Sequence, residues 1–196
     1  MPPFTPVSSE RTTVRPVHRN DLHELLAING DDAVTKFLPY RSWQTAADAD
    51  NWYNRMQALA EAGTGVQLVI AHRSVNDAAQ RVIGSVLLFK FDVASARAEV
   101  GYVLGRAYWR QGLAHEALRA VMGQAFGALG LRRIEAEVNP DNRASCALLC
   151  SLGFVLEGQL RQRWAAKGVT YDTHLYGCLA QDWEQANDAE LSAAPG

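Results

Sequence analysis

No apolar run in the 196 residues approaches the roughly 18 that a membrane span requires, and neither sign of charge dominates. Nineteen lysines and arginines stand against twenty-one aspartates and glutamates, a formal net charge of −2, which supplies no global attraction to nucleic acid or to a membrane surface. There are only three cysteines, Cys146, Cys150 and Cys178. That number makes no disulfide framework, and no histidine pair at ligand spacing completes a metal site. A reducing compartment, the cytoplasm, is expected, with the cysteines packed as small apolar residues. Met1 to Glu10 contains Pro2, Pro3 and Pro6 but no apolar stretch, so it does not read as a secretory signal. Residues 1–10 are expected to be a flexible lead-in and residues 185–196 a flexible tail. Between them lies one domain, residues 11–184; the chain is 48% hydrophobic, which is enough to bury a core.

What is present is a regular succession of elements. Thr12 to Val17 predicts a strand, and Asn20 the cap of a helix carrying Leu22, Leu25, Leu26 and Ile28. A second helix is expected from near Thr45 to Gly63, with Trp52, Met56 and Leu59 at helical spacing. Val66 to His72 and Val82 to Phe91 read as a hairpin whose polar connection includes Asn76 and Asp77. Arg97 to Leu104 is the next strand. A helix from about Arg110 to Leu129 places Leu113, Ala117, Val121 and Ala125 on one stripe. Then come a strand (Arg132 to Val138), a helix (Pro140 to Leu152), two strands (Phe154 to Arg161 and Val169 to Leu179) and a short helix around Asp182 and Trp183. The order predicts an α/β fold with a mixed sheet, largely antiparallel in its N-terminal half and covered by helices on both faces.

The segment Tyr108-Trp109-Arg110-Gln111-Gly112-Leu113-Ala114 is chemically the most informative. A helix leaves its first N–H groups unpaired, yet no Ser, Thr, Asp or Asn lies between Gly105 and Ala114 to cap one of them. Arg110 sets positive charge beside the positive end of the helix dipole, which is unfavourable unless an anion sits there. Gly112 and Ala114 allow a ligand close to the backbone. These features describe a phosphate or pyrophosphate pocket built of main-chain N–H groups, the alternative being a solvated helix start with an exposed arginine. There is no Gly-Lys-Ser/Thr and no Gly-x-Gly-x-x-Gly, which excludes a Walker loop and a dinucleotide fingerprint.

Three segments together carry a resemblance. The strand Ala98-Glu99-Val100-Gly101-Tyr102-Val103-Leu104, the turn above, and Asn139-Pro140-Asp141-Asn142-Arg143-Ala144-Ser145 followed by Leu152-Gly153-Phe154 resemble the GCN5-related N-acetyltransferases, within them the RimJ/RimL-type branch, over Thr13 to Trp183. The family's turn reads Arg/Gln-x-x-Gly-x-Gly/Ala, and Trp109 departs from it at the first position. The resemblance implies a splayed sheet with acetyl-CoA, as co-substrate and without a metal, between the Glu99 strand and the Arg132 strand. It implies pantetheine beside Tyr102, Val103 and Leu104, and pyrophosphate over Gln111, Gly112, Leu113 and Ala114, with Arg110 part of the same turn. Asn142 matches a position that reaches the pantetheine. Asn139, before Pro140, reads as a helix cap and is grouped with the coenzyme contacts.

The resemblance also makes Glu99 the candidate base, acting through water. Alternation alone would place it on a solvated face with Arg97, Gly101 and Val103, opposite Ala98, Val100, Tyr102 and Leu104. Ser145 is the candidate acid or thiolate stabiliser. Helical spacing aligns it with Leu148, Leu149 and Leu152, and its bland alternative is a bond back to the Asp141 carbonyl. Trp43, Trp52 and Tyr53 are candidates for an acceptor floor, and Tyr171, Asp172 and His174 for a wall. The implied activity is acetylation of a primary amine, of which a protein N-terminal α-amine such as that of a ribosomal protein is one form. A small-molecule amine (antibiotic, amino acid or polyamine) and a catalytically silent acyl-CoA-binding module are the alternatives. Nucleic acid and membrane are not expected as partners, and a homodimer is allowed.

Overall fold

The computed structural model describes residues 3–73 and 80–185. Its strands are β1 (Val7–Ser8), β2 (Thr12–Pro16), β3 (Gly65–His72), β4 (Arg81–Asp92), β5 (Arg97–Leu104), β6 (Arg133–Val138), β7 (Val155–Ala166) and β8 (Val169–Leu179). Its helices are α1 (Leu22–Asn29), α2 (Asp32–Thr35), α3 (Ala46–Glu61), α4 (Leu113–Phe126) and α5 (Arg143–Ser151), and residues 180–185 are also helical. The strands form one sheet in the order β1-β2-β3-β4-β5-β6-β8-β7, antiparallel throughout except for β5 and β6. Among the described residues no helix is long and apolar enough to cross a membrane.

Helices cover both faces, so the central strands are apolar on both sides rather than alternating. On one face Leu68, Ile70, Val86, Leu88 and Ile134 pack with Leu113, Ala117, Val121 and Ala125 of α4 and Leu149 of α5. On the other, Val69 and Val82 meet Leu25 and Ile28 of α1, Ala49 of α3 and Trp43. The predicted stripe of α4 is therefore its buried side.

Several boundaries differ from the sequence reading for local reasons. Helix α4 starts at Leu113, not Arg110, because Arg110 (φ 60°) and Gly112 (φ 76°) take left-handed backbone that a helix cannot contain. Helix α5 is capped by Asn142, whose Oδ1 accepts from the Ser145 N–H at 3.2 Å, while Asn139 accepts from the Asp141 N–H and closes only the preceding turn. Asn20 lies inside a 3₁₀ turn, Arg19–Asp21, and the side chain that holds this turn is Asp21, accepting from the His18 N–H. The expected lead-in is part of the fold: β1 pairs with β2, and Phe4 sits in the core. Cys178 is buried and Cys146 partly so, but Cys150 is exposed rather than packed. Asn76 and Asp77 lie outside the described residues, as does the tail beyond Gln185.

Glu116 of α4 ties the N-terminal strands to the helix. Its carboxylate accepts from Ser9 Oγ (2.7 Å), the Arg11 N–H (2.5 Å), Arg11 Nε (2.7 Å) and the Thr12 N–H (3.2 Å). Burial raises its pKa, but the bonds from Ser9 and Arg11 outweigh that and hold it below the usual carboxylate range. Glu116→Ala leaves the Arg11 amide without its acceptor and the Thr12 amide with only Ser9 Oγ, at 3.3 Å, and is expected to destabilise the fold by about 2 kcal/mol, read from urea unfolding. Since a depressed carboxyl pKa stabilises the folded state only above it, the difference from the parent protein should be full at neutral pH and shrink as pH falls through that pKa. A pH-independent difference would assign the effect to packing instead.

Candidate active site

The site begins where the two parallel strands part. β5 and β6 pair at Arg97↔Arg133, Ala98↔Ile134 and Glu99↔Glu135 and no further. Beyond Glu99, β5 continues to Leu104 paired only with β4, and β6 continues to Val138 paired only with β8. A sheet strand whose neighbour has moved away leaves backbone donors and acceptors for a guest. Beside the fork lies a cavity of about 360 Å³, lined among others by Glu99, Gly101 and Val103 of β5, Glu137 of β6, Phe37 and Tyr40 from the segment after α2, Trp52 of α3, Phe89 and Lys90 of β4, and Trp164, Tyr171 and Thr173 of the β7–β8 hairpin.

Glu99 is buried in the wall of this cavity, at 8% exposure, where alternation alone would have left it in solvent. Burial raises its pKa, Lys90 lowers it, and the nearby Glu137 and Glu135 raise it again, with a net upward shift. The Lys90 ammonium is 2.5 Å from Glu99 Oε2 and 3.7 Å from Glu137 Oε1. Lys90 reaches it through a bulge: the β4–β5 register slips between Phe89 and Asp92, and Lys90 has φ 52°. Glu137 also accepts from Trp164 Nε1 (2.9 Å) and Arg163 Nη2 (3.3 Å). Burial pushes its pKa up, but these partners and Lys90 bring it below the ordinary range. Thr173, 1% exposed, carries a hydroxyl with no partner among the described residues.

On the other face of β5 the Tyr102 hydroxyl lies 2.6 Å from Ser145 Oγ and 3.4 Å from the Ser145 carbonyl. Ser145 is therefore held by β5 and not by a bond back to Asp141. Burial raises the Tyr102 pKa despite its bond to Ser145, so the phenol stays protonated. The structure thus brings Glu99 and Tyr102 to one strand and Ser145 to Tyr102.

The turn after β5 has the geometry of an anion cradle. The Trp109 N–H bonds to the Arg106 carbonyl and the Glu116 N–H to the Gly112 carbonyl. Between them, the N–H groups of Arg110, Gln111, Gly112, Leu113 and Ala114 meet no protein acceptor among the described residues. A Cβ on Gly112 would stand 3.4 Å from the Arg11 guanidinium, which bonds the Gln111 carbonyl at 2.9 Å. A cation therefore flanks the free amides, and a diphosphate fits that donor set. Trp109 has a use of its own, since its indole N–H holds the Leu104 carbonyl at 2.7 Å. Asn142 and Asn139, by contrast, already spend one oxygen each on local turns.

Of the aromatic candidates, Trp52 and Tyr171 line the cavity; Trp43 packs on Trp52 with ring centroids 5.4 Å apart, and Tyr53 stacks under Arg19. Asp172 holds the bulge of β7 by accepting from Gln159 and from the Gln162 N–H. His174 is not part of the cavity wall; it packs edge-on to Tyr176, and its Nδ1 is buried without a partner among the described residues. Lys90, Glu137, Trp164 and Thr173 were not singled out from sequence. Arg133-x-Glu135-x-Glu137 does carry a period-two polar signal, but the bulge that turns Lys90 has none.

Comparison with known proteins agrees with this geometry. The model of the acetyltransferase (GNAT) domain family matches residues 11–155. An uncharacterised N-acetyltransferase, p20 of Bacillus licheniformis, is 32% identical over 175 residues, 89% of this chain and 96% of its own. Among solved structures, Mycobacterium smegmatis RimJ in complex with CoA-disulfide superposes with a TM-score of 0.83 at 23% identity, covering 96% of this chain and 93% of that one. Spermidine N-acetyltransferase from Vibrio cholerae, solved with CoA and spermine, superposes at 0.77 with 20% identity over 90% and 99%. With a forked sheet, a free-amide turn and a family match over most of its length, this chain belongs to the GNAT acetyltransferases and is an acyltransferase.

Proposed function

We propose that the chain moves an acetyl group from acetyl-CoA to a primary amine by direct attack in a ternary complex, with Glu99 as base acting through water. The observation that carries this reading is the buried carboxylate of Glu99 in the cavity wall on one face of β5, with the Tyr102–Ser145 pair on the other. Bound acetyl-CoA supplies the thioester carbonyl and a thiolate leaving group. The amides of Gln111 to Ala114 would hold the diphosphate, with Arg110 and Arg11 flanking, and the free edge of β5 at Tyr102 to Leu104 would align the pantetheine; Asn139 lines the adjoining cavity, and Asn142 caps the helix that carries Ser145. Glu99 takes the amine proton, for which its raised pKa suits it at neutral pH. Tyr102 donates to Ser145 Oγ, leaving the serine proton to meet the departing sulfur. A thiol pKa near 8.5 means that this help need only be modest.

The acceptor enters amine first. Two carboxylates and an aromatic lining suit a cationic amine on a compact, partly apolar end. A polypeptide N-terminus is one such end, and the resemblance of the sequence motifs to the RimJ/RimL-type branch supports it. An α-amine with a pKa near 8 is roughly a tenth neutral at pH 7, which asks little of the base. The cavity volume favours a second reading, a small-molecule amine, because about 360 Å³ lies at the lower end of small-ligand pockets.

Labelled acetyl-CoA supplied to cell extract with the protein should mark one acceptor class, identified by mass spectrometry. Coenzyme binding with no thiol release on any amine would instead make this a silent binding module. Glu99→Gln should lower kcat by roughly 10² to 10³ with coenzyme affinity unchanged; equal kinetics would remove Glu99 from the mechanism. Because Glu99 must be ionised, kcat/KM should fall on the acid side at a pH above the ordinary carboxylate range. Lys90→Met should move that limb higher, since Lys90 lowers the Glu99 pKa; an unmoved limb would assign it to another group. Tyr102→Phe should reduce kcat about tenfold with little change in the KM for acetyl-CoA, and a change in KM alone would make the tyrosine a packing residue.

A further inference from the structure

Of the nineteen basic residues only three are lysines, Lys36, Lys90 and Lys167, and one of them touches the carboxylate assigned as base. Glu135 on the same face is held by Arg97 (3.0 Å) and Arg133 (2.8 Å), and Glu137 by Arg163 and Trp164. A guanidinium in a salt bridge is not an acetyl acceptor. Glu99 is paired instead with a primary amine, the functional group that the reaction modifies. The left-handed bulge at Lys90 turns that amine off the face that regular alternation would give it and into the cavity wall. Its side chain is 50% exposed, so the nitrogen is not sealed away.

We propose that Lys90 is itself an acceptor, and that without a competing amine the protein acetylates its own Lys90. This rests on the reading of Glu99 as base. A lysine ordinarily carries its proton at neutral pH, and Glu99, 2.5 Å away, takes it. The freed Nζ lone pair forms a bond to the thioester carbonyl carbon as the carbon–sulfur bond breaks. A second nitrogen proton goes to the leaving thiolate, and one remains on the amide. No other reactant is needed. The product is uncharged, so Glu99 loses the cation that lowers its pKa, and Glu137 loses its Lys90 contact. Modification thus retunes the base when acetyl-CoA is present and acceptor is scarce.

The test uses the full chain with acetyl-CoA alone, followed by peptide mass spectrometry. One acetyl group should accumulate on Lys90. Exposed Lys36, beside the Phe37 ring, and Lys167, bonded to the Thr35 carbonyl at 2.6 Å, report uncatalysed acetylation. Glu99→Gln should slow labelling of Lys90 about a hundredfold and leave that of Lys36 unchanged. Lys90→Arg should abolish the label, and an excess of acceptor amine should delay it. Independently of turnover, the Glu99 carboxyl, followed by carbon NMR, should titrate higher in Lys90-acetylated protein than in unmodified protein. Labelling of Lys90 no faster than Lys36, or equally fast in Glu99→Gln, overturns the proposal. If Glu99-dependent transfer to other amines persists in that case, the reading of Glu99 stands; if no amine is acetylated, both fall.

Discussion

Everything at this site depends on three residue pairs. A parallel β5–β6 ladder that continued past Glu99 and Glu135 would have spent the backbone of Tyr102 to Leu104 on β6 and closed the cavity beside it. The fork leaves these strands rigid, because each keeps its outer neighbour, while freeing their inner edges. That combination of a fixed scaffold and unspent backbone groups suits the positioning of a long, flexible coenzyme arm, where geometry supplies most of the acceleration.

The two faces of β5 carry different chemistry for an elementary reason. Side chains alternate across a strand, so Glu99 faces the cavity with Glu137, while Tyr102 faces α5 and Ser145. The buried carboxylate and the hydroxyl pair are thereby separated by the thickness of one strand. The carboxylate face is kept in balance by Lys90, Arg97, Arg133 and Arg163. Its one lysine stands where the balance can be altered chemically.

Much of this was legible in the residues. The apolar stripe of α4 and the β-rich runs have periods that report their own burial, and the uncapped turn at Gly112 announces free amides by what is missing from it. Local chemistry misled where two residues compete for one task. Asn139 and Asn142 are both sound caps, and only the turn geometry selects Asn142. Contacts remote in sequence were silent: Tyr102 and Ser145 are 43 residues apart, and no pattern along the chain joins them. Lys90 was hidden more deeply, because alternation assigns it to the α4 face and only a backbone bulge reverses that. Phe4 was lost because three prolines nearby suggested a loose end, although a single aromatic is enough to anchor one.

The β7–β8 hairpin turns at Lys167 (φ 56°) and Gly168 (φ 81°), the left-handed pair that matches the twist of two strands. This turn delivers Lys167 to the Thr35 carbonyl at the end of α2. Besides the Lys90–Glu137 contact and the Tyr102–Ser145 bond, the two arms of the fork are thus joined at the far side by one ammonium group. A wedge tied in this way has its gape set by struts as well as by its apex.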